Sequence, residues 1–234
     1  MIQTVPETDS TNADMLILAA NGGDEGRWLR AETQTAGRGR MGRGWHSPVG
    51  NLYASTIVRL QPADPPGATL ALVAAIALVE TCRSSAPGIG FLIKWPNDVQ
   101  VDGAKLAGIL LERGGDAVVA GFGVNLGFHP VGLDRPVISL AALGVDRPDP
   151  GHFCEDLATQ FALWLAVWRG EGLSSIRDEW CARAHPEGTP LIANLADGGT
   201  ATGTFAGLAD DCALLLRLAD GTSRAIHAGD VFLV

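Results

Sequence analysis

The fold of this chain is decided by residues 90–124, which read GFLIKWPNDVQVDGAKLAGILLERGGDAVVAGFGV. Four apolar runs of strand length lie in this stretch, at residues 90–94, 99–101, 106–112 and 117–124. The dipeptides Asp102-Gly103 and Gly114-Gly115 separate the last three runs, and such pairs form the tight turns of β-hairpins. Because hairpins join neighbouring antiparallel strands, the stretch predicts a mainly antiparallel sheet and not regular strand–helix–strand units.

Helices flank these strands on both sides in the sequence. Ser10 or Thr11 can cap the first helix, and residues 68–79 are so apolar that they predict a buried one. The predicted helices span residues 11–20, 68–79, 152–168 and 173–184, and two further strands span residues 28–32 and 52–58. We therefore expect an α+β domain with a mixed, mainly antiparallel sheet flanked by helices.

The pattern of the sequence changes beyond residue 186. Short apolar runs recur at residues 191–195, 200–208, 213–218 and 223–227, with turns at residues 197–199, 210–211 and 220–221 between them. Four or five short strands in so small a segment predict a small β-barrel. We therefore expect two domains, residues 1–186 and residues 187–234.

The composition excludes several classes of protein. The chain has 234 residues, of which 47% are hydrophobic and 18% charged, as in globular proteins. Its net charge of −9 argues against coating nucleic acid or an anionic membrane. The longest apolar run, residues 68–79, is shorter than the roughly 18 to 20 residues that a membrane-spanning helix needs. With no export signal at the N-terminus and four scattered cysteines, we expect a cytoplasmic protein with reduced thiols.

Residues 37–44 form the most unusual segment, GRGRMGRG, in which three of eight residues are arginine. Glycine lets the backbone approach a ligand closely, and arginine offers a planar fork of donors for phosphate or carboxylate. The segment is neither a P-loop nor a Rossmann fingerprint. It predicts an anion site, although a solvated basic turn or a short nucleic-acid-binding tract would have the same composition.

Both lysines of the chain, Lys94 and Lys105, lie within twelve residues of each other, and every other basic residue is arginine. A flexible ammonium can follow charge that shifts between a carboxylate and a phosphate better than a rigid guanidinium can. Codon bias would explain why lysine is scarce but not why the two lysines are neighbours. We therefore expect at least one of them to be functional.

Other motifs are less specific. Asn97 and Asp98 follow a proline turn and are typical of a hairpin or of a ligand contact, and Asn125 could cap a turn or contact a base edge. The five histidines form no H-x-x-x-H pair, so no metal site built from the chain is expected. The absence of a G-x-S-x-G elbow favours chemistry without a covalent enzyme intermediate.

Five motifs, taken in order, resemble those of the bacterial biotin protein ligases. They are Ser10-Thr11-Asn12, QTAGRGRMGR at residues 34–43, KWPND at residues 94–98, KLAGIL at residues 105–110 and Gly123-Val124-Asn125. The resemblance implies the class II synthetase-like biotin/lipoate ligase fold, with a small SH3-like β-barrel at the C-terminus. It also implies the reaction: biotin and Mg-ATP would give biotinyl-5′-AMP and pyrophosphate. A lysine of a biotin carboxyl carrier protein, from acetyl-CoA carboxylase or another biotin-dependent carboxylase, would then accept the biotinyl group.

The resemblance also implies roles for individual residues. The biotin-binding set is Ser10, Thr11, Asn12, Gln34, Gly37, Arg38, Gly39, Arg40 and Lys105. The ATP-binding set is Arg40, Arg43, Trp45, Asn97, Asp98, Lys105 and Asn125. Lys105 would be the principal catalytic residue, bridging the biotin carboxylate and the α-phosphate, with Arg40 as the second. Mg²⁺ would arrive with the nucleotide, and Asp98 is the candidate for its neighbour.

The resemblance has further consequences and leaves alternatives open. Some family members carry an N-terminal helix-turn-helix, but Ser10 follows the first residue so closely that we expect neither that module nor DNA binding, and no membrane partner. The sequence does not decide the oligomeric state, and a homodimer is one possibility. The alternatives are a lipoate ligase or octanoyl transferase of the same fold and a non-catalytic binding module, but the Gly-Arg loop and the KWPND motif favour biotin.

Overall fold

The computed structural model describes residues 1–195, 198–227 and 229–233. Its helices are α1 (Thr11–Ala20), α2 (Leu70–Ser85), α3 (Pro150–Glu171) and α4 (Leu173–Cys181). The first seven strands are β1 (Ile2–Thr8), β2 (Trp28–Gln34), β3 (Leu52–Arg59), β4 (Phe91–Lys94), β5 (Asp98–Val101), β6 (Ala104–Gly114) and β7 (Ala117–Val124). The last five strands are β8 (Pro190–Leu195), β9 (Thr200–Leu208), β10 (Leu214–Arg217), β11 (Ser223–Ile226) and β12 (Gly229–Leu233).

The first seven strands form one sheet in the order β1-β2-β3-β7-β6-β5-β4. All neighbours are antiparallel except β1 and β2, so the prediction of a mixed, mainly antiparallel sheet is confirmed. Asp102 and Gly103 both have positive φ, which the tight turn between β5 and β6 requires. The turns inferred from residues 90–124 therefore set the order of this half of the sheet.

Strand β1 was not predicted from the sequence. Its residues lie at the edge of the sheet, pair with β2 alone and are largely exposed, so they carry no alternation of apolar and polar side chains. Pro6 lies within the strand, where an edge position tolerates the missing N–H. An exposed edge strand is stabilised by its neighbour, and its own sequence gives little sign of it.

The sheet is covered on both faces. Met15 and Ala19 of α1 pack against Leu29, Ile57 and Val119 on one face, hereafter the α1 face. Helix α2 lies on the opposite face, in contact with α3, α4 and four strands of the sheet, and it contributes much of the main core. The hydrogen-bonding register therefore decides which strand residues meet α1.

One helical segment among the described residues, Gly67–Ser85, is long and apolar enough to cross a membrane. This helix extends beyond the uninterrupted apolar run of residues 68–79, and the prediction that the run forms a buried helix is confirmed. Two thirds of its most apolar window is buried inside the protein, as in the core helix of a soluble protein. Burial, and not length, accounts for its composition.

The last five strands form a second, antiparallel sheet in the order β11-β10-β9-β8-β12. The predicted C-terminal β module is confirmed, and β12 is a strand that the sequence analysis did not place. Within the described residues no pairing joins β11 to β12, so the sheet is open and the expected barrel closure is not found. Residue 197 of the predicted turn 197–199 lies outside the described residues.

The second sheet packs directly on the first part of the chain. Trp180 of α4 makes an edge-to-face contact with Phe205 of β9, with ring centroids 6.3 Å apart. The Ile93 amide of β4 donates to the Arg183 carbonyl at 2.8 Å. Side chains from both sheets therefore belong to one continuous core.

Candidate functional site

A cavity of about 270 Å³ opens on the α1 face of the first sheet. Its walls come from the start of α1, the loop after β2, the turn between β4 and β5, residues 135–136 and β12. Twelve of the fourteen predicted site residues line this cavity, and Gly37 and Asn125 do not. The twelve are Ser10, Thr11, Asn12, Gln34, Arg38, Gly39, Arg40, Arg43, Trp45, Asn97, Asp98 and Lys105. Five separate segments of the sequence thus meet in one place.

Glycines form the floor of the cavity. Gly123 of β7 pairs with Gly108 of β6, and Gly121 lies two residues before Gly123, so all three face the same side of the sheet. A Cβ on Gly123 would lie 2.5 Å from the Trp45 ring, and one on Gly121 would lie 1.9 Å from Asn12 Oδ1. Only glycine lets these two side chains lie flat on the strands.

The start of α1 forms the polar end of the cavity. Ser10 caps the helix and accepts from the Ala13 amide at 3.5 Å. Gln34 Oε1 accepts from the Thr11 amide at 2.9 Å, and Gln34 Nε2 donates to Ser47 Oγ at 3.1 Å. Strand β2 and helix α1 thereby fix each other's polar side chains beside the glycine floor.

The glycine- and arginine-rich loop is folded back on itself. The Gly39 amide donates to the Arg43 carbonyl at 2.7 Å, and the Trp45 amide donates to the Gly37 carbonyl at 2.8 Å. Met41, at the tip, has φ 57° and is 80% exposed, and nothing assigns its side chain a role. The loop therefore presents its arginines from a defined backbone.

Gly37 belongs to this loop but does not line the cavity. A Cβ on Gly37 would lie 2.6 Å from both Ser47 Oγ and the Trp45 carbonyl. Its place in the structure is therefore a close backbone approach beside Gln34 and Trp45, and its biotin contact stays a prediction.

Asp230 of β12 holds two arginines of the loop. Arg43 Nη2 lies 2.9 Å and Arg40 Nη1 3.3 Å from its carboxylate. Arg40 also donates to the Gly229 carbonyl at 3.2 Å and to Asn97 Oδ1 at 3.5 Å. The C-terminal sheet is therefore tied to the loop across the mouth of the cavity.

Lys105 lies at the centre of the cavity wall. Its Nζ is 2.6 Å from Asp98 Oδ1, and both side chains are largely buried. The Trp45 ring faces Nζ with its centroid 5.4 Å away, within the range of a cation–π contact. Burial lowers the pKa of Lys105, and the ion pair with Asp98 opposes that shift.

Lys94 lines the same cavity. It lies in β4 opposite Asp98 of β5, and Lys105 lies in β6 on the other side of β5. Its Nζ is 5.4 Å from the centroid of Phe232 in β12. Burial lowers the pKa of Lys94 as well, with Asp98 opposing the shift and Lys105 adding to it. The neighbouring lysines of the sequence are neighbours in the site.

The two asparagines assigned to the nucleotide side differ in position. Asn97 lines the cavity and donates to the Ile109 carbonyl at 2.5 Å. Asn125 is buried outside the cavity lining, and its Nδ2 donates to the Ile138 carbonyl at 3.1 Å. This geometry matches the turn-capping interpretation of Asn125, and its contact with the nucleotide stays a prediction.

The cavity is strongly cationic although the protein is acidic. The titratable residues that line it are Arg38, Arg40, Arg43, Lys94, Lys105, Arg135, Asp98 and Asp230. Six cations face two carboxylates, which leaves an excess of four positive charges. Such a site favours a polyanionic ligand such as a triphosphate.

The cavity also contains residues that the sequence did not predict, among them Arg135, Asp230 and Phe232. Arg135 lies in an irregular segment, and Asp230 and Phe232 lie in the unpredicted strand β12. No local motif marks them, because they reach the cavity only through the pairing of residues 136–138 with Lys105 and the packing of the second sheet.

A metal site built from protein side chains has no support in the part of the chain that the structure describes. No group of three or more His, Cys, Asp or Glu residues is close enough together there to hold a metal ion. The carboxylates in the cavity lining are those of Asp98 and Asp230, and both are paired with cationic side chains.

Comparison with known proteins defines the class. The profile of the Biotin/lipoate A/B protein ligase family matches residues 8–128, which include all the predicted site residues. The chain therefore belongs to the biotin/lipoate A/B protein ligase family. A second profile, Biotin protein ligase C terminal domain, matches residues 192–234.

Individual members of this family that resemble the chain are biotin ligases. The chain is 41% identical to the biotin–(acetyl-CoA-carboxylase) ligase of Paracoccus denitrificans, over 96% of this chain and 97% of that protein. It is 35% identical to the ligase of the same name from Mycobacterium tuberculosis, over 98% and 88%. The solved structure of a biotin protein ligase from Aquifex aeolicus in complex with biotin and ATP superposes with a TM-score of 0.88 at 23% identity, covering 100% of this chain and 99% of that one. At that identity the superposition shows the shared fold.

Proposed function

We propose that this protein is an ATP-dependent biotin protein ligase. It activates biotin to biotinyl-5′-AMP and then transfers the biotinyl group to a lysine of a biotin carboxyl carrier protein. The observation that carries the proposal is one cavity in which the polar end at Thr11 adjoins a wall of six cationic side chains. Such a cavity suits a substrate with a polar ring and a carboxylate, next to a triphosphate.

The polar end would bind the ureido ring of biotin. Ser10, Thr11, Asn12 and Gln34 supply its donors and acceptors. A urea offers two N–H donors and one carbonyl acceptor, so a site built to pair all three rejects acids that lack them. This argument favours biotin over lipoate or octanoate, whose tails have no such groups.

The cationic wall would bring two anions together. In the first step a carboxylate oxygen of biotin attacks the α-phosphorus of ATP, and the bond from that phosphorus to the bridging oxygen breaks to release pyrophosphate. Lys105 lies where its charge can offset the repulsion between carboxylate and phosphate, and Arg38, Arg40 and Arg43 flank it. Mg²⁺ enters as part of the Mg-ATP substrate.

In the second step the amine of the carrier lysine attacks the acyl carbon of the adenylate. AMP leaves with the electron pair of the acyl–oxygen bond, and the lysine gives up a proton. The loop 37–44 and β12 border the cavity mouth and would limit the access of water to the mixed anhydride. The names of the relatives support a biotin-dependent carboxylase as the source of the carrier.

The proposal includes the setting of the reaction. We assign catalysis to residues 1–186 and a C-terminal module to residues 187–234, in the cytoplasm and without DNA or membrane as partner. The burial of the Gly67–Ser85 helix in the core supports a soluble enzyme.

Exchange of radioactive pyrophosphate into ATP tests the first step. We expect exchange that depends on biotin and not on lipoate or octanoate, and transfer of label to an added carrier domain. Exchange driven by lipoate or octanoate would replace biotin with the alternative acid. No exchange with any of these acids would rule out a ligase and leave an acyl transferase that does not use ATP or a non-catalytic binding module.

A further inference from the structure

Two residues outside the cavity, Ser55 and Glu112, connect to its polar end through a chain of hydrogen bonds. Ser55 lies in β3 opposite Gly121, and Glu112 lies in β6 opposite Val119, both on the α1 face. Neither residue lines the cavity. Both contact residues that do, because Asn12 lies between them.

The direction of each hydrogen bond in the chain follows from Glu112. Asn12 Nδ2 lies 2.9 Å from Glu112 Oε2 and 3.3 Å from the Leu110 carbonyl, and both of these oxygens can only accept. The Asn12 amide therefore directs its NH₂ group toward β6 and its Oδ1 toward Ser55. At 2.6 Å from Oδ1, the Ser55 hydroxyl must donate its single hydrogen to it.

The same argument extends to the cavity. Thr11 Oγ1 lies 2.7 Å from Ser55 Oγ, and since the Ser55 hydrogen is already used, the Thr11 hydroxyl donates to Ser55. The alternative acceptor of that hydrogen, Gln34 Oε1, is farther away at 3.2 Å and already accepts from the Thr11 amide. Thr11 Oγ1 therefore presents only lone pairs to the cavity.

We infer that Ser55 and Glu112 are positioning residues that fix Thr11 as a hydrogen-bond acceptor and so select an N–H donor in the ligand. This inference rests on the proposed function, in which the ligand is a cyclic urea. Because the serine is fully buried and Thr11 and Asn12 are nearly so, water does not compete for these bonds. The preference for N–H over a ring oxygen is thus set by residues that do not themselves contact the ligand.

The test compares biotin with its two carbamate analogues, in each of which a ring oxygen replaces one ureido N–H. In pyrophosphate exchange the wild-type protein should discriminate against the analogue whose oxygen faces Thr11. In Ser55→Ala the Thr11 hydroxyl is free to donate, so this discrimination should fall by about tenfold while kcat for biotin changes little and its KM rises. A purely structural role for Ser55 would not change the preference between N–H and oxygen.

Two further variants complete the test. Thr81→Val is the matched control, because Thr81 is a fully buried hydroxyl bonded within α2 to the Ala77 carbonyl, and it should keep the wild-type discrimination. Glu112→Gln changes a partly exposed side chain and serves if Ser55→Ala does not fold; it should lower the discrimination less, in the same direction. Unchanged discrimination in the folded variant would overturn the inference, whereas absence of biotin-dependent exchange in the wild type would instead overturn the proposed function.

Discussion

Lys105 is the residue on which the proposed chemistry depends most. It is held between the Asp98 carboxylate and the Trp45 ring, and Gly108 leaves room for it, since a Cβ there would lie 3.1 Å from Lys105 Nζ. Removing one member of a buried ion pair strands the other, so an alanine variant would mix lost catalysis with lost stability.

Lys105→Gln separates these effects because the amide can still donate to Asp98 without carrying charge. We expect adenylation to slow by at least about 100-fold, as when one donor to a developing oxyanion is lost. Pyrophosphate exchange and a thermal melt measure the two effects. Arg113→Gln, on the exposed end of the same strand, is the control and should retain activity; near-normal exchange by Lys105→Gln would refute the assignment.

The lowered pKa of Lys105 predicts how activity depends on pH. In the proposed mechanism the charged form of Lys105 is the active one, so adenylation should decline as pH rises through a pKa below that of an ordinary lysine. The free energy of unfolding should change in the opposite direction and increase with pH. Between the folded and the unfolded pKa of Lys105 the unfolded chain still holds the proton, whereas the folded protein has lost it and no longer has to bury the charge. A pH profile of kcat/KM for Lys105→Arg should lack the alkaline decline, because a guanidinium stays charged; the same decline in both proteins would assign it to another group.

At the scale of elements, the loop 37–44 depends on β12 for its position. One Asp230 carboxylate holds both Arg40 and Arg43, so the loop keeps a net positive charge while its arginines are oriented toward the cavity. In the proposed function the triphosphate and Asp230 would bind the same guanidinium groups. Ligand binding should therefore change how tightly the loop is held.

Asp230→Asn weakens this tie and should loosen the loop. We expect faster trypsin cleavage after Arg40 and Arg43, since a hydrogen bond to a charged carboxylate is stronger than one to a neutral amide. Asp220→Asn is the control, because among the described residues that carboxylate bonds within its own turn, to Thr222. Equal cleavage rates in wild type and Asp230→Asn would show that the loop is held by its internal backbone bonds.

At the scale of the whole molecule, the two sheets share one hydrophobic core. Trp180 and Phe205 meet between them, and Arg183 hydrogen-bonds β4 through its backbone. The cavity also takes residues from both sheets, so their relative position is part of the site.

Phe205→Ala should therefore destabilise the entire protein. Removing a buried phenylalanine costs about 3–5 kcal/mol, and a shared core predicts a single unfolding transition in which both sheets melt together. Denaturant unfolding followed by circular dichroism and by tryptophan fluorescence checks both points. Leu163→Ala, on the exposed side of α3, should change stability by less than about 1 kcal/mol; two separate transitions would show that the sheets fold independently.

Much of the fold and part of the site could be predicted from local sequence. The turns at 102–103 and 114–115 and the apolar runs between them are properties of neighbouring residues, and they predicted the antiparallel half of the sheet. The loop arginines and the paired lysines were also recognised locally. Strand β1 was missed because an exposed edge strand needs no apolar pattern.

The remaining site residues depend on contacts between distant parts of the chain. Asp230 meets Arg40 across 190 positions, and Glu112 meets Asn12 across 100. Neither contact leaves a local motif, because any acidic residue in a strand has the same pattern. Sequence by itself therefore singled out the loop arginines and the paired lysines as candidates for the chemistry, through composition and spacing. Only the tertiary structure decided which way each of these groups points, because strand register and the packing of the second sheet determine which donors and acceptors meet.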